Sequence, residues 1–497
     1  MIKLILMNVS IDKILQHAED AIKLGEFKEA EANFKKALIL KPDTAEIYYN
    51  LATIQQALNS LDDAEANFKK AIRLKPNFAK AHSNLGAVLN KLTKYNDAIL
   101  CFQKAIKLKP NYALAYNNLG ATFHKIVKFD DAETYLKKAI ELKPDYADAY
   151  LNIGNTQKEL GKLEEAEIST KKAMSLDSKN ITAYSNLSLI LKELGRLEEA
   201  KVNCIKAIGL KNDDAKSHYI LGSLLYEQKH YKKAAKHFTL SDYSMSKSYL
   251  LRCLFKNDDQ STFYNELDRL IKNGENNAVI GSLISQSEIK YGVSRVNPFC
   301  KNPLNYILKT DLIKKNYFNK AFNQNIIDIL SDNKIKKKTT QKLLNNGVQT
   351  VGNIFGQKND VINEIKKIIY LEIEAYRSHF KNSNEGFLKE WPNNHDLIGW
   401  LVSMKNGGNI KPHMHEYGWI SGSIYINVPP KVKMESGNLV VCIESDEHKI
   451  NQNNKFKKSI DVVTGSFCLF PSSLHHYTVP FESEEDRIVL AFDIIPK

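Results

Sequence analysis

The first half of the chain repeats its small and apolar positions. One alanine ladder runs through Ala30, Ala64, Ala98, Ala132, Ala166, Ala200 and Ala234. A second runs through Ala37, Ala71, Ala105, Ala139, Ala173 and Ala207, again with a step of 34 residues. Pro42, Pro76, Pro110 and Pro144 keep the same step, and Phe34, Phe68, Phe102 and Phe238 fall in phase with it. Small side chains suit places where two helices pack closely, and proline follows a helix that has just ended. The aromatics are expected to fill the gaps between repeats. The period predicts seven helix–turn–helix units from about residue 11 to about residue 248. The seventh diverges most, because Ser241 stands where the second ladder needs alanine.

From residue 249 the period is lost while the text (LLRCLFKND, TFYNELDRLIKN) stays helical. Residues 249–297 therefore read as a helical cap over the apolar face of the last repeat. Pro298 and Pro303 mark a boundary. Ile362, Ile365, Ile369, Ile373 and Tyr376 then step by three and four, which predicts an amphipathic helix supporting a sheet. After Trp391-Pro392 the pattern alternates in LIGWLVSM, SIYINV, NLVVCIE, SIDVV, SFCLF and RIVLAFDII, with turns expected at 407–408, 436–438 and 464–465. Short alternating strands at this density predict a β-sandwich or barrel. The expected organisation is a repeat region at 1–248, a cap at 249–297 and a β-domain with supporting helices at 298–497.

Composition narrows the picture. No apolar run approaches the ~20 residues needed to span a bilayer, and MIKLILM lacks the small-residue cleavage site of a secretory signal. The net charge of +13 invites a nucleic-acid reading, but only seven of the 70 basic residues are arginine, the side chain that reads bases and phosphates bidentately. Lysines spread along repeat surfaces argue for compositional bias and against a nucleic-acid interface. The six cysteines are scattered with no CxxC pair, which fits free thiols in a reducing compartment and predicts a cytoplasmic protein.

The chemistry concentrates in PHMHEYGWISGSIYINVP, residues 412–429. On a strand, His413 and His415 would project from the same side, since side chains alternate. A third ligand from FPSSLHHYTVPF would close one face of a metal and leave the other open. Between the adjacent His475 and His476, His476 is the expected ligand, while His448 falls in a polar loop.

The 34-residue unit resembles the tetratricopeptide repeat, which implies a right-handed superhelix with a concave groove. Asn50, Asn84, Asn118, Asn152 and Asn186 keep the same step. They resemble the asparagine ladder of O-linked N-acetylglucosamine transferase, and such a row of carboxamides can grip an extended peptide backbone. Residues 298–497 resemble the 2-oxoglutarate/iron(II) oxygenases found attached to such repeats. The likeness is carried by Gly408, His413, His415, Trp419, Ser421, Gly422, Tyr425, Pro429, Gly465, Phe470, Pro471, Ser472, His476, Arg487 and Asp493.

That resemblance implies a double-stranded β-helix binding Fe(II) and 2-oxoglutarate, with Arg487 on the far carboxylate, Tyr425 as a further co-substrate contact, and hydroxylation of a C–H. A protein or peptide delivered by the repeats is the expected substrate. The usual ligand set is two histidines and a carboxylate, and here His415 replaces the carboxylate. Either three histidines hold the iron, Glu416 substitutes, or the site has lost metal; three histidines is the preferred reading. Two rivals stay open: a three-histidine cupin, which shares the topology but lacks its glutamate here because Trp419 and Ile420 stand in its place, and an interaction scaffold with an inert or merely metal-binding β-domain.

Overall fold

The computed structural model describes residues 10–243, 245–331, 337–338, 343–357, 359–444 and 454–497. The MIKLILM start and His448, expected in a polar loop, lie outside the described residues. The chain forms two compact units, Met1–Ile190 and Leu191–Lys497.

The first unit is made of helix pairs: α1 Ile11–Lys23 with α2 Phe27–Leu40, α3 Ala45–Ala57 with α4 Leu61–Leu74, α5 Ala79–Lys91 with α6 Tyr95–Leu108, α7 Ala113–Lys125 with α8 Phe129–Leu142, and α9 Ala147–Glu159 with α10 Leu163–Leu176. Helix α11, Ile181–Glu193, carries the chain across the division. Every ladder alanine of this unit, from Ala30 to Ala173, is fully buried. The aromatics join a core that runs across helix pairs and also fill space within a pair. A Cβ on Gly86 would lie 2.8 Å from the ring of Phe102, so Phe102 fills a space inside its own helix pair.

The turn within each pair requires a left-handed residue. Gly25, Asn59, Thr93, Val127 and Gly161 occupy that position, with φ between 59° and 76°. At Val127 the amide N–H of Lys128 donates to Phe123 O at 2.9 Å and that of Val127 to His124 O at 3.0 Å, the bond pattern that closes a helix on a left-handed residue.

The second unit opens with α12, Leu197–Leu210, and the pair α13, Ala215–Glu227, and α14, Tyr231–Thr239. Helix α14 has 9 residues against the 14 of α12. Ser241 accounts for the early stop: its hydroxyl donates to Ala215 O at 2.7 Å and accepts from the Tyr243 amide and the Ser246 hydroxyl. Helices α15 (Ser246–Lys256), α16 (Gln260–Lys272) and α17 (Ala278–Tyr291) follow without the repeat period, joined in their own apolar core.

The β-domain adds α18 (Lys320–Ser331), α19 (Asp360–His379) and α20 (Gly386–Lys389) to ten strands among the described residues. These are β1 Leu308–Asp311, β2 Lys337–Lys338, β3 Leu344–Thr350, β4 His395–Ile410, β5 Ile420–Asn427, β6 Leu439–Cys442, β7 Lys457–Ile460, β8 Ser466–Pro471, β9 His475–Thr478 and β10 Arg487–Pro496. They form a larger sheet in the order β1-β8-β5-β10-β4-β3-β2 and a smaller one in the order β7-β6-β9. Alternation along each strand divides two cores. Phe467 and Leu469 of β8, with Ile424 and Ile426 of β5, pack on the isoleucines of α19. Cys468, Phe470 and Tyr425, one residue out of step, meet Leu439 and Val441 of the smaller sheet.

One local expectation is corrected. Gly407 and Gly408 do not turn between strands; they sit inside β4 at a bulge, where Asn345 opposes Asn409 but Gly347 opposes Met404. The HHYT stretch follows a turn at 472–474 and is a strand pairing with β6.

Val127 is β-branched in a conformation that costs an L-residue about 1–2 kcal/mol. Val127→Gly should therefore stabilise the array by about 1 kcal/mol, part of the relief being lost to the freer unfolded chain. Urea unfolding of the two proteins checks this, and Thr93→Gly should shift the midpoint in the same direction.

Candidate metal centre

Strand β10 lies between β4 and β5. Ile488, Leu490, Phe492 and Ile494 face the helices, so Arg487, Val489, Ala491 and Asp493 face the other way. Asp493 is opposite Ser421 of β5, and Ala491 is opposite Trp400 of β4. Strand β4 ends at Ile410, and residues 411–419 are a loop. The two histidines of HxH are therefore not on a strand, as expected, but in this loop. One anchor is an isolated bridge in which His413 and His476 exchange backbone hydrogen bonds of 3.1 and 2.8 Å.

Among the described residues, His413, His415 and His476 bring one ligand atom each within 4.8 Å of one another. The Nε2 atoms of His413 and His415 are 3.2 Å apart. His413 Nδ1 lies 2.9 Å from Lys411 O, and His415 Nδ1 lies 2.6 Å from Asp493 Oδ1. A carboxylate only accepts, so Nδ1 of His415 carries the proton and Nε2 keeps its lone pair for a metal. Asp493 is itself held by the Ser421 hydroxyl at 2.8 Å, which in turn meets the Ser472 hydroxyl. The close packing at Gly418, where a Cβ would lie 2.6 Å from Ser472 Oγ, leaves no room for a side chain beside this network.

Burial, and then the neighbouring His415, push the pKa of His413 down to about 4. Burial also drives His476 well below the usual histidine value. Neutral imidazoles are the form that ligates a metal.

The triad opens on a cavity of about 210 Å³ whose lining includes Trp400, Val402, Met404, Tyr425, Phe470 and Arg487. Arg487 is 1% exposed. Its guanidinium lies over the Tyr425 ring at 5.0 Å and donates from Nη2 to Gly437 O at 3.1 Å, while Nε has no partner. No carboxylate pairs with it among the described residues. Burial lowers its pKa, with Tyr425 acting in the opposite sense.

His475 stands beside the triad but outside it: on β9 it opposes Cys442, whereas His476 opposes Val441. Glu416 is not with the histidines either, since both its oxygens are taken by Arg252 and Tyr249 of α15. In the first unit, Asn84 Nδ2 donates to Tyr49 Oη at 3.1 Å, Asn152 Nδ2 to Asn117 Oδ1 at 2.9 Å, and Asn118 Oδ1 accepts from Asn117. Asn50 is half-buried and Asn186 buried. Sequence reasoning found Asp493 only as part of a motif. Its role as the anchor of His415 depends on a pairing across 78 residues that no local pattern reveals.

Residues 399–493 match the family model described as "Putative 2OG-Fe(II) oxygenase". Tetratricopeptide repeat models match 15–79, 88–127, 113–146, 135–168 and 181–214. Solved structures similar to the chain include MamA, 28% identical over 34% of this chain and 92% of that one, with a TM-score of 0.31. A tetratricopeptide repeat protein from Parabacteroides merdae is 17% identical over 49% of this chain and 98% of its own, with a TM-score of 0.43. YrrB, described as a TPR protein with an unusual peptide-binding site, is 25% identical over 39% and 97%, with a TM-score of 0.32. No curated protein matches the chain. The chain thus combines tetratricopeptide repeats with a C-terminal domain matching the 2OG-Fe(II) oxygenase family model.

Proposed function

We propose that this protein is an Fe(II)- and 2-oxoglutarate-dependent hydroxylase that acts on a protein or peptide engaged by its repeats. The observation that carries this reading is a buried guanidinium without an anionic partner among the described residues, lining the same cavity as three imidazoles. A buried charge is costly unless paired, so Arg487 calls for an anionic ligand. The donor set also fits the metal: three imidazoles on one side leave the opposite positions open.

His413, His415 and His476 would hold iron, and burial keeps His413 and His476 neutral and ready to ligate. Asp493 fixes the ring of His415 and its tautomer. Arg487 would take the far carboxylate of 2-oxoglutarate by charge-assisted hydrogen bonds from its planar fork. The Tyr425 ring packs against that fork and limits its rotation, and its hydroxyl is the proposed further contact to the co-substrate. Apolar walls from Val402, Met404, Phe470 and Val489 restrict water around the reacting groups. The bound iron with dioxygen would supply the oxidation, 2-oxoglutarate yielding succinate and CO2 while a substrate C–H becomes C–OH.

The cupin reading assigns no task to Arg487, and Trp419, at the position where that family would need its glutamate, is buried with its indole N–H on Phe387 O at 2.6 Å. Peptide capture by the asparagine ladder rests on the capacity of Asn84, Asn118 and Asn152: a carboxamide has two N–H donors and two acceptor lone pairs, more than their bonds to neighbours consume.

Removing one of three ligands should abolish metal loading. His476→Ala is expected to bind no Fe(II) in the full chain, and His475→Gln to bind it as wild type, with metal content after anaerobic loading as the readout. Equal loading of His476→Ala and wild type would remove the triad from consideration.

Arg487→Met should weaken 2-oxoglutarate by about 2–4 kcal/mol through loss of a buried charge-assisted partner, with iron binding retained. Titration of 2-oxoglutarate against succinate release measures it. Oxygen uptake with a thiol and no need for 2-oxoglutarate would favour the cupin instead.

Changing Asn84, Asn118 and Asn152 together to Ala should lower affinity for an extended peptide at least about ten-fold, at about 0.5–1.5 kcal/mol per lost bond. Peptide-array binding tests this, with helical content as the folding control. Unchanged binding would leave the repeats a scaffold.

A further inference from the structure

The HxH loop has a second side. In His413-Met414-His415-Glu416 the histidines converge on His476, while Met414 and Glu416 reach α15. Arg252 of α15 pairs through Nη1 with Glu416 Oε1, and its Nη2 lies 3.2 Å from Met414 Sδ. Tyr249, one turn earlier on the helix, donates its hydroxyl to Glu416 Oε2 at 2.8 Å, and its ring lies 5.3 Å from the guanidinium. Both carboxylate oxygens are thereby occupied. The side chains of Arg252 and Glu416 are 14% and 23% exposed, so the pair is largely out of water. Removing one partner would leave the other charge buried and uncompensated.

The helix end of this contact is fixed in turn. The Tyr249 ring stacks on Phe238 of α14 at 5.2 Å and meets the edges of Tyr219 and Tyr226 of α13 at 6.0 and 5.6 Å. Met414 packs against the core of helices α15–α17 and against the core between sheet and α19. The backbone of the loop is pinned at its two ends, by Lys411 N to Leu343 O at 3.0 Å and Trp419 N to Ile494 O at 2.7 Å. Between them come the His413–His476 bridge and a turn bond from Gly418 N to His415 O at 3.1 Å, so the 414–417 stretch relies largely on its side chains.

We propose that α15 is a positioning element of the metal centre, with Arg252 and Tyr249 holding the HxH loop in the shape that brings three histidines together. This rests on the three-histidine metal reading. Asp493 grips the loop from the sheet side and Arg252 from the helix side, so the site is complete only while the helices after the last repeat are docked. Arg252 touches no ligand atom; it acts through Met414 and Glu416. Lysine cannot replace it fully, because one ammonium cannot reach the carboxylate and the sulfur with a planar fork.

The test uses the full chain and Co(II), whose visible absorption reports coordination geometry. Arg252→Met and Glu416→Gln should each weaken Co(II) about 10- to 100-fold, the range for partners that orient ligands, and alter the spectrum. Arg252→Lys should restore part of the affinity. Hydrogen exchange should show amides 413–418 losing protection while those of β10 keep theirs. If Arg252→Met fails to fold, Glu416→Gln, which keeps a hydrogen-bonding side chain of the same size, decides. Variants that bind Co(II) within two-fold of wild type with an unchanged spectrum overturn the inference alone. A wild-type chain that takes up no Co(II) overturns the metal reading and this inference with it.

Discussion

The β-domain depends on the two-residue period of β10. One face, Ile488, Leu490, Phe492 and Ile494, closes the core against the helices, and the other displays Arg487 and Asp493. Because the period is fixed by backbone geometry, a slip of one residue would bury the polar pair among isoleucines and expose the core. Hydrophobic packing on one face thus sets the position of charge on the other. Strands β4 and β5 flank β10 and obey the same parity, with Trp400, Val402, Ser421 and Tyr425 on the cavity side.

Period was also what made the fold legible. The 34-residue step can be read because each repeat solves the same packing problem with the same residue types, and its alanines are buried where the step requires. The amphipathic helix 360–379 was equally clear, its isoleucines meeting the sheet. What failed to show were features set by long-range pairing. Strand β3 reads NNGVQT in part, without alternation, and becomes a strand because β4 offers it a partner. The glycines 407–408 looked like a turn because a bulge and a turn use the same residue.

At the site, the residue types were visible and their support was not. His413, His415 and His476 stand out by spacing, and their convergence depends on a loop shaped by Asp493 and Arg252, both remote in sequence. The option of Glu416 as a ligand could not be decided by alternation, since the stretch is not a strand. Competition argues against it: a carboxylate bonded through both oxygens to Arg252 and Tyr249 would have to break a shielded ion pair to reach a metal.

Charge then orders the remaining readings of the cavity. In the proposed ligand set, His415 in place of the usual carboxylate would remove one negative charge, and neutral imidazoles would add none. A divalent ion would bring its whole charge into a cavity already lined by buried, positive Arg487. Asp493 offsets one unit from behind His415. Two positive charges remain, and in a small, largely apolar space each is expensive to leave uncompensated. A thiolate would neutralise one of them. A diacid with its carboxylates at opposite ends would ligate the metal with one and meet Arg487 with the other, neutralising both; charge balance thus supports the proposed dicarboxylate over a thiolate.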